Sequence, residues 1–272
     1  MFLTSIGFGI ILPSLPFFAE KLGATSFEMG LAMSAFAMSQ IFASSIWGSL
    51  SDRIGRKPVL IIGVVGYGCI SALVPFSPNV PVLLVLRFFG GIMTSAVMPS
   101  SMALLTEHTP PEHRPRVIGY MGSINSIGFI LGPPAGSFLG LFGIEVPFVS
   151  VGLLAILNGL LAWRLLPGKG MSIEEEKKPR PVLRQSLLQR FKFSFLNPGI
   201  APLMLGTFVL NLVDSSISVT IAFLITGPLN STELMTGFAF MINAAFSAIV
   251  QSVVFARTFH RLGGVMTVIV GF

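Results

Sequence analysis

Only 10% of the 272 residues are charged, so the few charges near or inside apolar runs mark where chemistry can occur. Asp214, in Asn211-Leu-Val-Asp214-Ser215-Ser216, sits deep in such a run. An isolated carboxylate in apolar surroundings is suited to taking up and releasing a proton; a structural acid satisfied by hydroxyls such as Ser215 is the alternative. Arg87 stands in Leu86-Arg87-Phe88-Phe89-Gly90-Gly91, where a central cation costs at least about 2.5–3.5 kcal/mol. It lies five residues from the end of its run, roughly 7.5 Å by helical rise. It therefore either has a role that keeps it within the run or snorkels to the headgroups. A third group, Gly48-Ser-Leu-Ser-Asp52-Arg53-Ile-Gly55-Arg56-Lys57, packs one acid and three cations between two apolar stretches. Glu107 closes another run seven residues before Arg114. These charges suit ion pairing rather than bond chemistry. The three histidines fall in loops without metal-ligand spacing, and the single Cys69 permits no internal disulfide. No nucleophile–base pair or phosphate loop is present, which argues against an enzyme, and nothing calls for a cofactor.

The elements that must position these residues are membrane spans. With 53% hydrophobic residues and few charges, the chain lies far from soluble composition, where about 25% of residues are charged. Runs near 20 residues match a bilayer core of about 30 Å. Eight occur, at roughly 2–19, 29–50, 58–76, 82–105, 117–142, 146–166, 199–225 and 234–255, and a ninth begins at Gly264. The expected fold is all-α, a polytopic transmembrane helix bundle of eight spans and the start of a ninth. The first run lacks a basic start and contains Pro13 and Pro16, so it is not a secretory signal.

Of 17 Lys and Arg, 15 fall in alternate loops, at 51–57, 107–116, 164–192 and 257–261. The positive-inside rule places those loops in the cytoplasm. The net charge of +6 thus reports topology and contact with anionic lipid rather than nucleic acid. Residues 167–198 break the hydropathy, dividing a six-span half (1–166) from an incomplete second half (199–272) by a cytoplasmic linker. Within it, Leu187, Leu188, Phe191 and Phe195 share one helical face, the pattern of an interfacial helix or of a solvated linker with stray apolar residues. Phe259-His260-Arg261-Leu262-Gly263 falls opposite Ser51 to Gly55 at a shift of 208 residues, and Gly237 opposite Gly30 at 207. That is a faint internal repeat.

The stretch Gly48 to Lys57 resembles the loop between the second and third helices of the major facilitator superfamily, Gly-x-Leu-x-Asp-Arg-x-Gly-Arg-Lys. Gly48, Leu50, Asp52, Arg53, Gly55, Arg56 and Lys57 all fit. Gly128, Gly132, Pro133, Gly136 and Gly140 recur through the fifth run, at spacings that let another backbone approach. They are similar to the Gly-x-x-x-Gly-Pro-x-x-Gly-Gly motif of drug:proton antiporters, with Ser137 in place of the last glycine. Leu86 to Gly91 resembles that family's Arg-x-x-Gln-Gly motif, Phe89 replacing glutamine. Thr4-Ser-Ile-Gly-Phe-Gly to Pro16 resembles tetracycline-type exporters, which carry an acid where Thr4 stands.

The resemblance implies two halves rocking about a midplane cavity, with proton entry coupled to export of drugs or other amphipathic molecules. It implies a latch of Asp52, Arg53, Arg56 and Glu107 on the cytoplasmic face, and a glycine–proline helix that packs the two halves together. It also implies cavity contacts from Phe36, Gln40, Asn125, Asn211 and Asn243, and proton coupling through Asp214 and Arg87. The expected partners are a small-molecule substrate, protons and the bilayer of the plasma or inner membrane, with a monomer when complete. By the repeat, the chain is expected to be a fragment of a transporter of roughly 390–400 residues. An uptake symporter for a sugar or metabolite is the alternative within the family. An inactive truncated membrane protein is the alternative outside it.

Overall fold

The computed structural model describes residues 1–166 and 233–249, with the isolated positions 209, 213 and 220. The linker 167–198, the stretch Arg184 to Phe195, Asn211, Asp214, the segment Phe259 to Gly263 and the run from Gly264 lie outside them. Every regular element among the described residues is helical. In a bilayer this follows from the backbone, because each N–H and C=O must be satisfied within its own segment. Helix α1 is Phe2–Lys21, α2 Ser26–Ile54, α3 Arg56–Leu73, α4 Val80–Thr94, α5 Val97–Glu107, α6 Arg114–Gly140, α7 Val146–Leu165 and α8 Glu233–Ile249.

Local chemistry sets the helix ends. Thr25 and Glu28 form a reciprocal capping box at the start of α2, satisfying two donors that would otherwise be orphaned. Burial is not needed for this: the backbone N–H of Thr25 holds the Glu28 carboxyl below its ordinary value. The run 82–105 is one span in length but two helices in fact. Pro99 lacks an N–H and its ring crowds the carbonyl four residues earlier, which is Ser95, and the helix breaks at Ser95 and Ala96. α2 reaches further than its apolar run, through Asp52 and Arg53 to Ile54, because only at Gly55 does the backbone take φ 106°, a value side chains resist. Gly48 lies inside this helix.

The chain separates into two compact units; residues 1–166 and the part of α8 up to Phe246 belong to the first. Within it α1 lies chiefly against α6 and α7, α3 against α7, and α2 against α4. Leu15, Phe18, Leu83 and Phe148 are fully enclosed. Many other large apolar side chains, such as Phe42, Ile46, Leu153 and Trp163, point outward, while small polar groups such as Ser5, Ser39 and Ser71 are buried. That distribution suits lipid as the surrounding solvent, with small residues between helices.

Among the described residues, five stretches are long and apolar enough to cross a membrane: Phe2–Lys21, Ser26–Ile54, Arg56–Phe76, Val80–Glu107 and Val146–Leu165. α6 is 27 residues long but is not among them, since its glycines, serines, prolines and Asn125 dilute its hydropathy. Its apolar deficit is the same feature that lets it pack.

Candidate functional site

Three groupings in the first unit bring the sequence-selected residues together. The first is built on the joint at Gly55. Arg56 opens α3, and its Nε donates to Glu107 Oε1 at 2.9 Å. The same guanidinium donates to Ser51 Oγ at 3.1 Å and pairs with Asp52 one turn back. Each of these charges sits at the helix end its dipole disfavours: Asp52 near the C-terminus of α2, Glu107 at that of α5, and Arg56 at the N-terminus of α3. Their mutual pairing offsets what each helix alone would disfavour. Burial alone would lower the Arg56 pKa, yet the Glu107 hydrogen bond and the Asp52 charge raise it.

Asp52 and Glu107 remain well exposed, so each pair is worth under about 1 kcal/mol. Such a network does little for stability and can be opened at little cost. Lys57 lies beside it, its Nζ donating at 2.6 Å to the carbonyl of Leu166 at the end of α7. Arg53 is exposed on the last turn of α2, and Arg56 is the hub. Gly48 faces open space.

The second grouping surrounds Arg87. The sequence left it free to snorkel, but its side chain is buried, at 6% exposure. The guanidinium lies 4.6 Å from the centre of the Phe36 ring, which is itself buried and meets the rings of Phe8 and Tyr67. Its Nε has no hydrogen-bond partner, and no carboxylate among the described residues pairs with it. A desolvated cation–π contact is worth about 2 kcal/mol, less than the cost of a buried cation. The arrangement is electrostatically incomplete. Phe36 is thus buried beneath Arg87.

The third grouping is the glycine face of α6. A Cβ added at Gly128 would lie 2.6 Å from Ser5 Cβ, and one at Gly132 the same distance from Gly9 Cα. At Gly136 it would collide with the Ile10 carbonyl. α1 and α6 therefore climb side by side in four-residue steps, with these glycines along the contact. The neighbouring face meets α8: a Cβ at Gly237 would lie 2.7 Å from Ser137 Cβ and 2.8 Å from the Pro133 carbonyl. Ser137, where the motif has glycine, faces a glycine on the opposite helix. Gly140 is the last residue of α6, its carbonyl accepting from Gly143 N–H at 3.1 Å.

Of the polar residues near mid-depth, Asn125 accepts from Ser5 Oγ at 2.5 Å across the α1–α6 seam. Gln40 is half-buried on α2, and Asn243 is exposed on α8. Asn211 and Asp214 are outside the described residues. Sequence reasoning missed Asn158, which donates to Thr4 Oγ1 at 3.0 Å; its signal was a lone amide in an apolar run, the same that marked Asn125. Tyr67, beside Phe36, gave no signal beyond its rarity. At the other end of the bundle Lys21 pairs with Glu145, whose carboxyl is held below its ordinary value chiefly by that hydrogen bond. Among the described residues no three His, Cys, Asp or Glu side chains gather as a metal site.

Long apolar helices with polar seams and a charged joint at one end define a multi-pass membrane protein. The Major Facilitator Superfamily profile matches residues 1–272, and the chain belongs to that family. It is 32% identical over 209 residues to the quinolone resistance protein NorA of Staphylococcus aureus strain MRSA252, covering 76% of this chain and 53% of that protein. It is 25% identical to multidrug resistance protein 2 of Bacillus subtilis strain 168, covering 97% of this chain and 66% of that one. The chain thus spans about half the length of NorA. In fold it resembles the crystal structure of a bacterial homolog of the human lysosomal transporter Spinster, with a TM-score of 0.73 at 18% identity over 96% of this chain and 60% of that one.

Proposed function

We propose that the protein containing this chain is a proton-coupled exporter of drugs or other small amphipathic molecules, working by alternating access. The observation that carries the reading is the glycine–proline helix α6, close-packed on α1 and with Ser137 against Gly237, in a chain similar to two resistance proteins. That helix motif is associated with export rather than uptake.

In this reading Gly48, Asp52, Arg53, Gly55, Arg56, Lys57 and Glu107 form a cytoplasmic latch. Its weak pairs hold the closed inner face and part when the halves rock. Arg87, held over Phe36, completes its electrostatics with an anion, and Asp214 is the carboxylate that carries the coupling proton. Gln40, Asn125, Asn211 and Asn243 contribute polar contacts to the substrate path. The organisation is a six-helix half at 1–166, a cytoplasmic linker at 167–198 and part of the second half at 199–272, monomeric in the cell membrane.

The test uses a full-length protein containing this chain in everted membrane vesicles. Adding a quinolone to vesicles holding an inward-acid proton gradient should dissipate that gradient, read by a pH-sensitive dye, as drug accumulates inside. Drug accumulation that persists unchanged after the gradient is collapsed would rule out proton coupling, and absence of accumulation would rule out export.

A further inference from the structure

The break between α4 and α5 at Ser95 and Ala96 holds two possible hydrogen-bond arrangements. Pro99 strips the Ser95 carbonyl of its helical partner. It does not touch the Ile92 carbonyl, whose partner in a continuous helix is the Ala96 N–H. That N–H donates instead to the Met93 carbonyl, at 3.2 Å. Two side chains take the Ile92 oxygen, each at 2.7 Å: Ser95 Oγ from the break itself and Trp47 Nε1 from α2. An indole has one donor and no acceptor, and near a membrane face it ordinarily gives that donor to the wet interface. Trp47 is half-buried and gives it to a backbone carbonyl of another helix.

The two sides of the break are held differently. α4 buries Val80, Leu83, Arg87, Gly90 and Gly91, and a Cβ at Gly91 would collide with Ser39 and the Phe36 carbonyl of α2. α5 buries only Val97 and Ser100, both in its first turn, and lies chiefly against α3. Its far end, 11 residues on and about 16 Å away by helical rise, carries Glu107, bonded to Arg56. We infer that α5 is a lever pivoting at Ser95 and Ala96, and that Trp47 is the positioning residue that selects its bent arrangement by satisfying the Ile92 carbonyl. When Glu107 parts from Arg56 the lever straightens by one bond: Ala96 N–H returns to Ile92 and displaces the indole. The Ile92 oxygen keeps a donor in both arrangements, so neither leaves it orphaned, as a joint that moves requires. The clamped α4 keeps Arg87 over Phe36 throughout. The lever needs the Arg56–Glu107 contact to open, not export, so it stands or falls apart from the transport reading.

The test is magnetic resonance of the indole N–H in a full-length protein containing this chain, in lipid nanodiscs. Cell-free synthesis with a suppressor tRNA labels Trp47 alone with ¹⁵N, and Trp163, which points outward, alone in a second sample. The Trp47 indole proton should resonate downfield of that of Trp163, as a hydrogen-bonded N–H does. In Glu107→Gln and in Arg56→Gln it should move upfield or gain a second, upfield peak. Trp163 should stay in place in both, and Glu112→Gln should move neither proton. Either latch variant decides alone should the other fail to insert. A Trp47 proton level with that of Trp163 would overturn the bond. A proton that stays downfield and unmoved in the latch variants, or that moves equally in Glu112→Gln, would overturn the lever and leave Trp47 a fixed structural contact.

Discussion

Arg56 and Arg87 are the same side chain in opposite settings. Arg56 lies at a one-residue joint with two carboxylates and a serine hydroxyl around it, partly open to solvent. Arg87 is buried in a bilayer-spanning bundle over an aromatic ring, with its Nε unpartnered. The first is a charge whose pairs are complete and cheap to break. The second is a charge whose environment is incomplete and costly to leave so. A cluster of the first kind suits a contact that opens and closes, and one of the second kind suits a group that waits for an ion. Local rules are violated at both places, as expected where function rather than stability sets the residue.

The largest effect should come from breaking the buried member. In a full-length protein containing this chain, Arg87→Gln should reduce proton-driven quinolone export to background in everted vesicles. Phe36→Leu, which removes the ring but keeps the cation, should weaken it by about threefold to thirtyfold, the range of a cation–π contact. Undiminished export by Arg87→Gln at equal expression would remove Arg87 from the mechanism.

The contrast between a packed interior and an open joint also separates two glycines. Gly136→Ala forces a methyl into the Ile10 carbonyl and should cost about 1–3 kcal/mol as overpacking. Gly48→Ala meets no atom within 4 Å and should leave the melting midpoint unchanged or raise it, since alanine is the better helix former by about 1 kcal/mol. Thermal unfolding in detergent reads both; equal midpoints would mean that the α1–α6 seam relaxes freely.

Smallest is the expected stability effect at the joint. A double-mutant cycle of Arg56→Gln and Glu107→Gln should give a coupling of about 0.2–1 kcal/mol. A coupling above about 3 kcal/mol would mark a buried structural pair and remove the argument that the latch opens at little cost.

Much of this was legible from composition and spacing. The apolar runs over the first six spans correspond to helices because a lipid-embedded backbone has few other choices. The joint sequence and the four-residue glycine spacing were equally readable. Long-range partners were not. The spacing of Gly128, Gly132 and Gly136 announces a groove, but only three-dimensional packing shows that α1 fills it. Arg87 is near the end of its run, which suggested snorkelling, yet the face it occupies turns it onto Phe36. The division of the fourth run came from Pro99, a local signal outweighed by the run's length. Asn158 depends on a partner 154 residues away in sequence, and no periodicity reports such a pairing.

The central claim is that an acid inside the bilayer carries the coupling proton, and Asp214 is the residue to which it is assigned. The most direct measurement is proton release on quinolone addition to a full-length protein containing this chain, in weakly buffered detergent solution, with drug binding followed in the same sample. Asp214→Asn keeps the shape and the hydrogen bonding but cannot release a proton. The account predicts that binding stays measurable while drug-driven proton release is lost. Release equal to that of the unmodified protein would contradict it and make Asp214 a structural residue.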